Sequence, residues 1–180
     1  MDSAALVKCM NFAAIKHRDQ RRKNKEQAPY INHPIGVAFI LTDTGNIDDL
    51  ETIQAALLHD TVEDTDTTFE EIKNAFGLGV CSIVKEVTDD KSLPKMERKR
   101  LQIEHAKTAS RKAKLVKLAD KLYNLRDLMR LPPLGWDEAR VQEYFEWSAK
   151  VVKGLRGTNK AIESELDAIF KERLVYDISV

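Results

Sequence analysis

The sequence predicts an all-α protein, one helical bundle or orthogonal array of helices. Three observations carry that prediction. Apolar residues recur at helical spacing along most of the chain. Gly and Pro are scarce and fall at the breaks between the periodic stretches. No stretch sustains period-two alternation, and no repeat, low-complexity run or long linker divides the chain.

Leu6, Met10, Ala13, Ala14 and His17 outline a first helix. Arg18 to Tyr30 is polar and basic and reads as a loop. His33-Pro34 opens a second helix, because Pro suits the first helical position. It runs through Val37, Ala38 and Leu41 to Gly45. A third helix starts near Asp48 and carries Leu50, Ile53, Leu57 and Leu58. Thr68-Phe69-Glu70-Glu71 matches a capping box for a short fourth helix closed by Gly77. Val80 to Val87 reads as helix rather than strand, and Asp89 to Pro94 as loop. Glu97 to Lys107 and Lys112 to Arg130 are helical, the second with Leu115, Leu118, Leu122 and Leu125. Pro132-Pro133-Leu134-Gly135 breaks the chain. Asp137 then caps a helix through Leu155, and Asn159 begins the last, to about Arg173. Leu174 to Val180 carries no motif and is expected to be a disordered tail. The expected organisation is thus one domain over 1–173 and a tail over 174–180.

Lys plus Arg and Asp plus Glu each number 29, so the formal net charge is zero. That balance argues against a nucleic-acid binder or a polybasic membrane protein, while leaving room for a local basic patch. Cys9 and Cys81 form no disulfide framework and no CxxC pair, which fits two packing residues in a reducing compartment. The N-terminus lacks the pattern of a signal peptide. Apolar runs such as Ile35 to Leu41 are far too short to span a membrane. A soluble, cytoplasmic protein is expected; the oligomeric state is not legible.

The informative segment is Ala55-Ala56-Leu57-Leu58-His59-Asp60-Thr61-Val62-Glu63-Asp64-Thr65. On a continuous helix, Asp60 and Asp64 fall on or beside the apolar stripe of Leu50, Ile53 and Leu57. An inward carboxylate is costly unless compensated, and a metal ion compensates several at once. His59 and Asp60 diverge by about 100° on such a helix, so an ion would sit over the groove between them. His33, at a helix start, is a natural third ligand. Asp120 is the candidate fourth, off the leucine stripe on a face shared with Val116, Tyr123 and Asn124. Two imidazoles and two carboxylates, completed by water, suit Mn²⁺ or Fe²⁺ better than Ca²⁺, and Zn²⁺ would favour four-coordination.

The order His33, His59-Asp60, Asp120 resembles the HD superfamily of metal-dependent phosphohydrolases. Pro29-Tyr30-Ile31-Asn32-His33-Pro34, the His59-Asp60 segment and Lys117-Leu118-Ala119-Asp120-Lys121-Leu122-Tyr123-Asn124-Leu125 are similar to the hydrolase domain of the RelA/SpoT family. The likeness runs from about residue 5 to 173. It implies a single HD-domain helical array and one Mn²⁺ per chain, held by His33, His59, Asp60 and Asp120. It also implies that Glu63 and Asp64 carry the hydrolytic step, and that Arg22, Lys23 and Tyr30 meet the nucleotide. The chain is too short for the synthetase and regulatory domains of the bacterial bifunctional enzymes.

Spacing agrees with that division, because Glu63 follows His59 by four residues and Asp64 follows Asp60 by four. The implied reaction is attack of an activated water on the phosphorus borne by the ribose 3′ oxygen of guanosine 3′,5′-bis(diphosphate), ppGpp. Pyrophosphate leaves and GDP remains. Arg offers a planar fork to phosphate and Tyr a flat face to a base. Asn124 shares the face of Asp120 and could touch ribose or phosphate. Tyr144 is a pocket candidate, with Phe145 and Trp147 assigned to the core. Lys95, Arg98, Lys99 and Arg100 form a second basic cluster, either phosphate-binding or a solvated face. His17 and His105 lie outside the quartet. NADPH, with its ribose 2′-phosphate, is the rival substrate, and a nucleotide sensor without turnover is a more distant alternative.

Overall fold

The computed structural model describes residues 2–175, and among them ten α-helices and no β-strand. α1 (Ser3–Lys16) begins where Asp2 Oδ1 accepts the amides of Ala4 and Ala5 at 3.0 and 3.1 Å. The Arg18–Tyr30 segment is indeed non-helical, and an isolated bridge joins Asn24 to Pro133. Two chain breaks that are far apart in sequence thereby become one wall.

α2 (Asn32–Phe39) starts one residue before His33, so Pro34 stands third rather than first. That is tolerated because first-turn N–H groups have no intrahelical acceptor. Past Phe39 the helix widens into a π-turn, Ile40–Thr44, where Gly45 N donates to Ile40 O at 2.9 Å. Nothing in the sequence pattern announced it. α3 (Leu50–Leu58) is capped by Asp49, which accepts Thr52 N at 3.0 Å. α4 (Thr61–Asp64) is a single turn.

α5 (Phe69–Phe76) carries the expected Thr68 cap, with Glu71 N donating at 3.1 Å, and Gly77 ends it at φ 92°. Glu71 does not reach back as in a full capping box; it pairs with Lys16 at 3.0 Å. α6 (Leu78–Val87) is helix, as expected. α7 (Lys95–Thr108), α8 (Arg111–Arg130), α9 (Glu138–Leu155) and α10 (Lys160–Glu172) complete the array. Ser110, Asp137 and Asn159 cap the last three. Leu174 and Val175 close α10, with Val175 N bonded to Phe170 O at 2.9 Å and its side chain buried, so the expected tail boundary falls inside the packed structure. The remainder of that tail, 176–180, lies outside the described residues.

α3 and α8 stand at the centre. α3 packs on α1, α2, α6 and α8, and α8 touches α2, α3, α6, α9 and α10. Every residue of α3 from Thr52 to Leu58 is buried, and so are Leu115, Leu118, Leu122 and Leu125 of α8. Cys9 and Cys81 are free and buried, as packing residues should be. Among the described residues, no helix is long and apolar enough to cross a membrane.

α2 meets α8 at a glycine. A Cβ on Gly36 would lie 2.0 Å from Tyr123 Cε2, and the Tyr123 ring packs on that of His33 with centroids 4.8 Å apart. Ala at position 36 gains helix propensity of about 1 kcal/mol, but it must push a packed ring aside. Gly36→Ala is expected to destabilise the protein by a net of about 1–3 kcal/mol. A thermal melt checks this; an unchanged Tm would mean that the Tyr123 ring yields freely.

Candidate metal centre and nucleotide cavity

The His59-Asp60 segment is not one continuous helix, as the sequence reading assumed. α3 ends at Leu58, Asp60 adopts φ −100° and ψ −3°, and α4 starts anew at Thr61. Thr61 Oγ1 donates to Leu58 O at 2.7 Å, and Asp64 N donates to Asp60 O at 2.9 Å, so both loose ends are satisfied. The break lets two adjacent side chains converge: His59 Nε2 lies 3.0 Å from Asp60 Oδ2. On a regular helix they would diverge by about 100°.

All four expected ligands meet. His33 Nε2 is 3.2 Å from His59 Nε2, 3.4 Å from Asp60 Oδ2 and 3.1 Å from Asp120 Oδ1. His59 Nε2 is 3.6 Å from Asp120 Oδ1. His33, His59 and Asp60 alone among the described residues offer three ligand atoms all within 4.8 Å of one another, and Asp120 approaches both imidazoles.

His59 Nδ1 lies 2.7 Å from Ala56 O. A carbonyl only accepts, so Nδ1 carries a proton and Nε2 is the nitrogen that would offer its lone pair to an ion. Two imidazole nitrogens and two carboxylates at these distances fit a divalent ion. So does the charge: five carboxylates, Asp60, Glu63, Asp64, Asp89 and Asp120, line this cavity against two lysines.

Without an ion, the groups balance one another. Burial opposes charge on His59, but Asp60 and Asp120 hold its pKa well above the ordinary range. Burial likewise opposes ionisation of Asp60, yet His59 and His33 hold its carboxyl well below the carboxylate range. For Asp120, burial is again outweighed, by Lys121 and then the imidazoles.

Both expected catalytic carboxylates face the same cavity, held by partners that sequence reasoning missed. Glu63 Oε2 accepts the Asp89 amide at 3.2 Å, and Arg98 Nη1 stands 3.9 Å from Oε1. Asp64 accepts from Lys91 Nζ at 2.6 Å and Gln20 Nε2 at 3.0 Å. Burial, then repulsion by Asp89 and Asp60, pushes Glu63 up to about 7. In metal-free protein, a ¹³C NMR titration of the Glu63 carboxyl is expected to have its midpoint near that value. Asp89→Asn should lower the midpoint; no movement would assign the shift to burial alone.

Beside the metal cavity lies a second of about 320 Å³. Arg22, Lys23, Tyr30, Asn124 and Tyr144 all line it, which are the five residues expected at the nucleotide. Tyr30, Asp64, Asn124 and Tyr144 belong to both cavities and form their common wall. Tyr30 Oη donates to Asp60 Oδ2 at 2.6 Å. Asn124 Nδ2 donates to Asp120 Oδ1 at 2.8 Å, while its oxygen accepts from Arg22 at 3.1 Å. Asn124 therefore bridges a metal-ligand candidate to a nucleotide-side arginine, and Asp127 holds the same arginine at 2.9 Å.

One expectation is revised, and two others gain detail. Phe145 is core, but Trp147 is only partly buried and borders the metal cavity. The basic cluster divides: Arg98 reaches toward Glu63, Lys99 pairs with Glu143, and Arg100 faces solvent between Glu97 and Glu104. His17, outside the quartet as expected, is nevertheless buried against the Tyr30 ring and bonds Gln20 at 2.7 Å. Trp136, Lys117 and Lys121 were not singled out. The lysines flank Asp120 in the quoted segment, and their helical spacing was the signal available.

Residues 9–144 match the family model described as HD domain. The chain is 67% identical over 171 residues to guanosine-3′,5′-bis(diphosphate) 3′-pyrophosphohydrolase MESH1 of Danio rerio, covering 95% of each. It is 63% identical over 172 residues to the Homo sapiens protein of the same name, covering 96% of each. A solved structure described as a metazoan ortholog of SpoT that hydrolyzes ppGpp and plays a role in starvation responses superposes with TM-score 0.95. Its sequence is 53% identical, over 98% of this chain and 99% of that one. The chain belongs to the HD-domain family and, within it, to the family of the metazoan guanosine-3′,5′-bis(diphosphate) 3′-pyrophosphohydrolases.

Proposed function

We propose that this chain hydrolyses ppGpp to GDP and pyrophosphate with one Mn²⁺ held by His33, His59, Asp60 and Asp120. The observation that carries the reading is the shared wall. A four-ligand cluster and a cavity lined by Arg22, Lys23 and aromatic rings meet at Tyr30, Asp64, Asn124 and Tyr144. The names of relatives alike over nearly the whole chain point the same way.

A divalent ion there supplies Lewis acidity and a more acidic water. The chain's own residues do the rest. Glu63 is the general base, its carboxylate lining the metal cavity beside the ligand cluster. Asp64, fixed by Lys91 and Gln20, orients the attacking water. Arg22 and Lys23 draw in the anionic nucleotide, and Tyr30 and Tyr144 offer ring faces to the nucleoside. The mixed nitrogen and oxygen donor set suits Mn²⁺. The complete set of ligands and carboxylates favours turnover over a sensor role. A small nucleotide as partner, rather than nucleic acid or an anionic membrane surface, fits the zero net charge, and two free cysteines fit a cytoplasmic setting.

The test is a product assay on metal-stripped protein with Mn²⁺ restored, offered ppGpp and NADPH separately. Pyrophosphate and GDP released only with metal are expected, with kcat/KM higher for ppGpp. Metal-bound protein that turns over neither would sink the reading, and faster NADPH dephosphorylation would replace the substrate.

A further inference from the structure

α8 brings two lysines to the wall of the metal cavity, and their situations differ. Lys121 is buried and paired, with Nζ 3.2 Å from Asp120 Oδ2 and 4.7 Å from the centroid of the Trp147 ring. Lys117 lies one turn earlier on the same face and lines the same cavity. Among the described residues, no carboxylate stands within salt-bridge distance of its ammonium. Burial, then repulsion from Lys121, lowers its pKa, while Asp89, Asp120 and Glu63 act in the opposite sense. Lys117 is half-buried, and a cation drawn out of water in this way gains from an anion beside it. Neither lysine lines the nucleotide cavity, so that anion is not on the nucleoside side of the common wall.

We propose that Lys117 determines specificity for a diphosphate over a monophosphate, by binding the distal phosphate of the 3′-diphosphate and holding pyrophosphate as it leaves. The assignment rests on the reading of this site as a pyrophosphohydrolase. The reacting phosphorus must lie at the ligand quartet, between the nucleoside cavity and the remainder of the metal cavity. A monophosphate ends there. A diphosphate extends one phosphoryl group further into a space whose unpaired cation is Lys117. An ammonium presents three rotatable donors, which suits a terminal phosphate that turns as the bond between the proximal phosphorus and the ribose oxygen breaks and pyrophosphate departs.

Calorimetric titration of the Mn²⁺-loaded protein tests this, with inorganic pyrophosphate, inorganic phosphate and GDP as probes. Lys117→Met removes the charge and keeps the stem, Lys117→Gln is a second neutral variant in case the first folds poorly, and Lys117→Arg restores the charge. The neutral variants should weaken pyrophosphate binding by about 10- to 100-fold, the strength of one hydrogen bond to a charged group. Phosphate binding should fall much less and GDP binding not at all, while Lys117→Arg recovers most of the loss. In turnover, kcat/KM for ppGpp should fall by a similar factor, but not for the analogue with a single 3′-phosphate.

Equal losses for phosphate and pyrophosphate, unchanged pyrophosphate affinity, or no pyrophosphate binding by the wild type would each overturn the assignment. Pyrophosphate held through Lys117 by a protein that never cleaves ppGpp would support Lys117 and sink the proposed activity. Cleavage of ppGpp at the wild-type rate by Lys117→Met would do the reverse.

Discussion

Asp60→Asn is expected to abolish stable metal binding and to lower kcat/KM by at least about three orders of magnitude, since the ion contributes several kcal/mol of transition-state stabilisation. The substitution removes one negative charge and one proposed ligand and little else. Tyr30 Oη, now 2.6 Å from Asp60 Oδ2, can donate equally to an amide oxygen. The helix break is made by backbone and by Thr61, so it should survive. Partners of metal ligands typically cost about 10- to 100-fold in affinity when lost, and a direct ligand should cost no less.

The stability readout is independent of turnover. An ion that binds only the folded state adds about 2.7 kcal/mol at a concentration 100 times its Kd. For a chain of this size that is a rise in Tm of roughly 5–11 °C. Wild-type protein should show the rise with Mn²⁺, and Asp60→Asn should not. An Asp60→Asn protein that still takes up Mn²⁺ with wild-type affinity would remove Asp60 from the ligand set.

Glu63→Gln should lower kcat by about two to four orders of magnitude, the usual contribution of a positioned base. KM should change little, because Glu63 borders the metal cavity and not the nucleotide cavity. The same substitution should stabilise the metal-free protein. Burial and neighbouring carboxylates push the Glu63 pKa up to about 7, against 4.5 for an ordinary glutamate. Relative to an uncharged residue, the carboxyl has no effect on folding below pH 4.5, disfavours it increasingly between 4.5 and about 7, and does so fully above that. Wild type and Glu63→Gln should therefore agree in stability below pH 4.5 and separate progressively up to about pH 7, with the variant ahead by roughly 1–3 kcal/mol above it. Lost turnover with gained stability is the mark of a residue kept for chemistry. Denaturant melts at about pH 4 and pH 8 check it. A variant less stable than wild type at pH 8 would make Glu63 a structural residue.

Much of this protein was legible in its sequence because helical periodicity and capping are local. The buried leucines of α3 and α8, the caps at Thr68, Asp137 and Asn159, and the helix over Val80–Val87 all follow from near neighbours. The four ligand candidates could be named from the sequence too, but as a set only through the likeness of the segments around His33, His59-Asp60 and Asp120 to the HD superfamily.

The tertiary structure decided what depends on contacts between distant segments. It broke the helix at His59-Asp60, and with the backbone turned there the two adjacent side chains converge instead of diverging by about 100°. It joined the Arg18–Tyr30 loop to the Pro132–Pro133 break, making a cavity wall from pieces more than a hundred residues apart. It moved Trp147 from core to cavity edge and bound Asn124 to both Asp120 and Arg22. It also left Lys117, among the described residues, without a carboxylate at salt-bridge distance, whereas Lys121 pairs with its sequence neighbour Asp120. Side-chain type and spacing set which groups were available. Packing of α8 against α2 and α3 set which charges face one another, and that pairing is not encoded in the local periodicity.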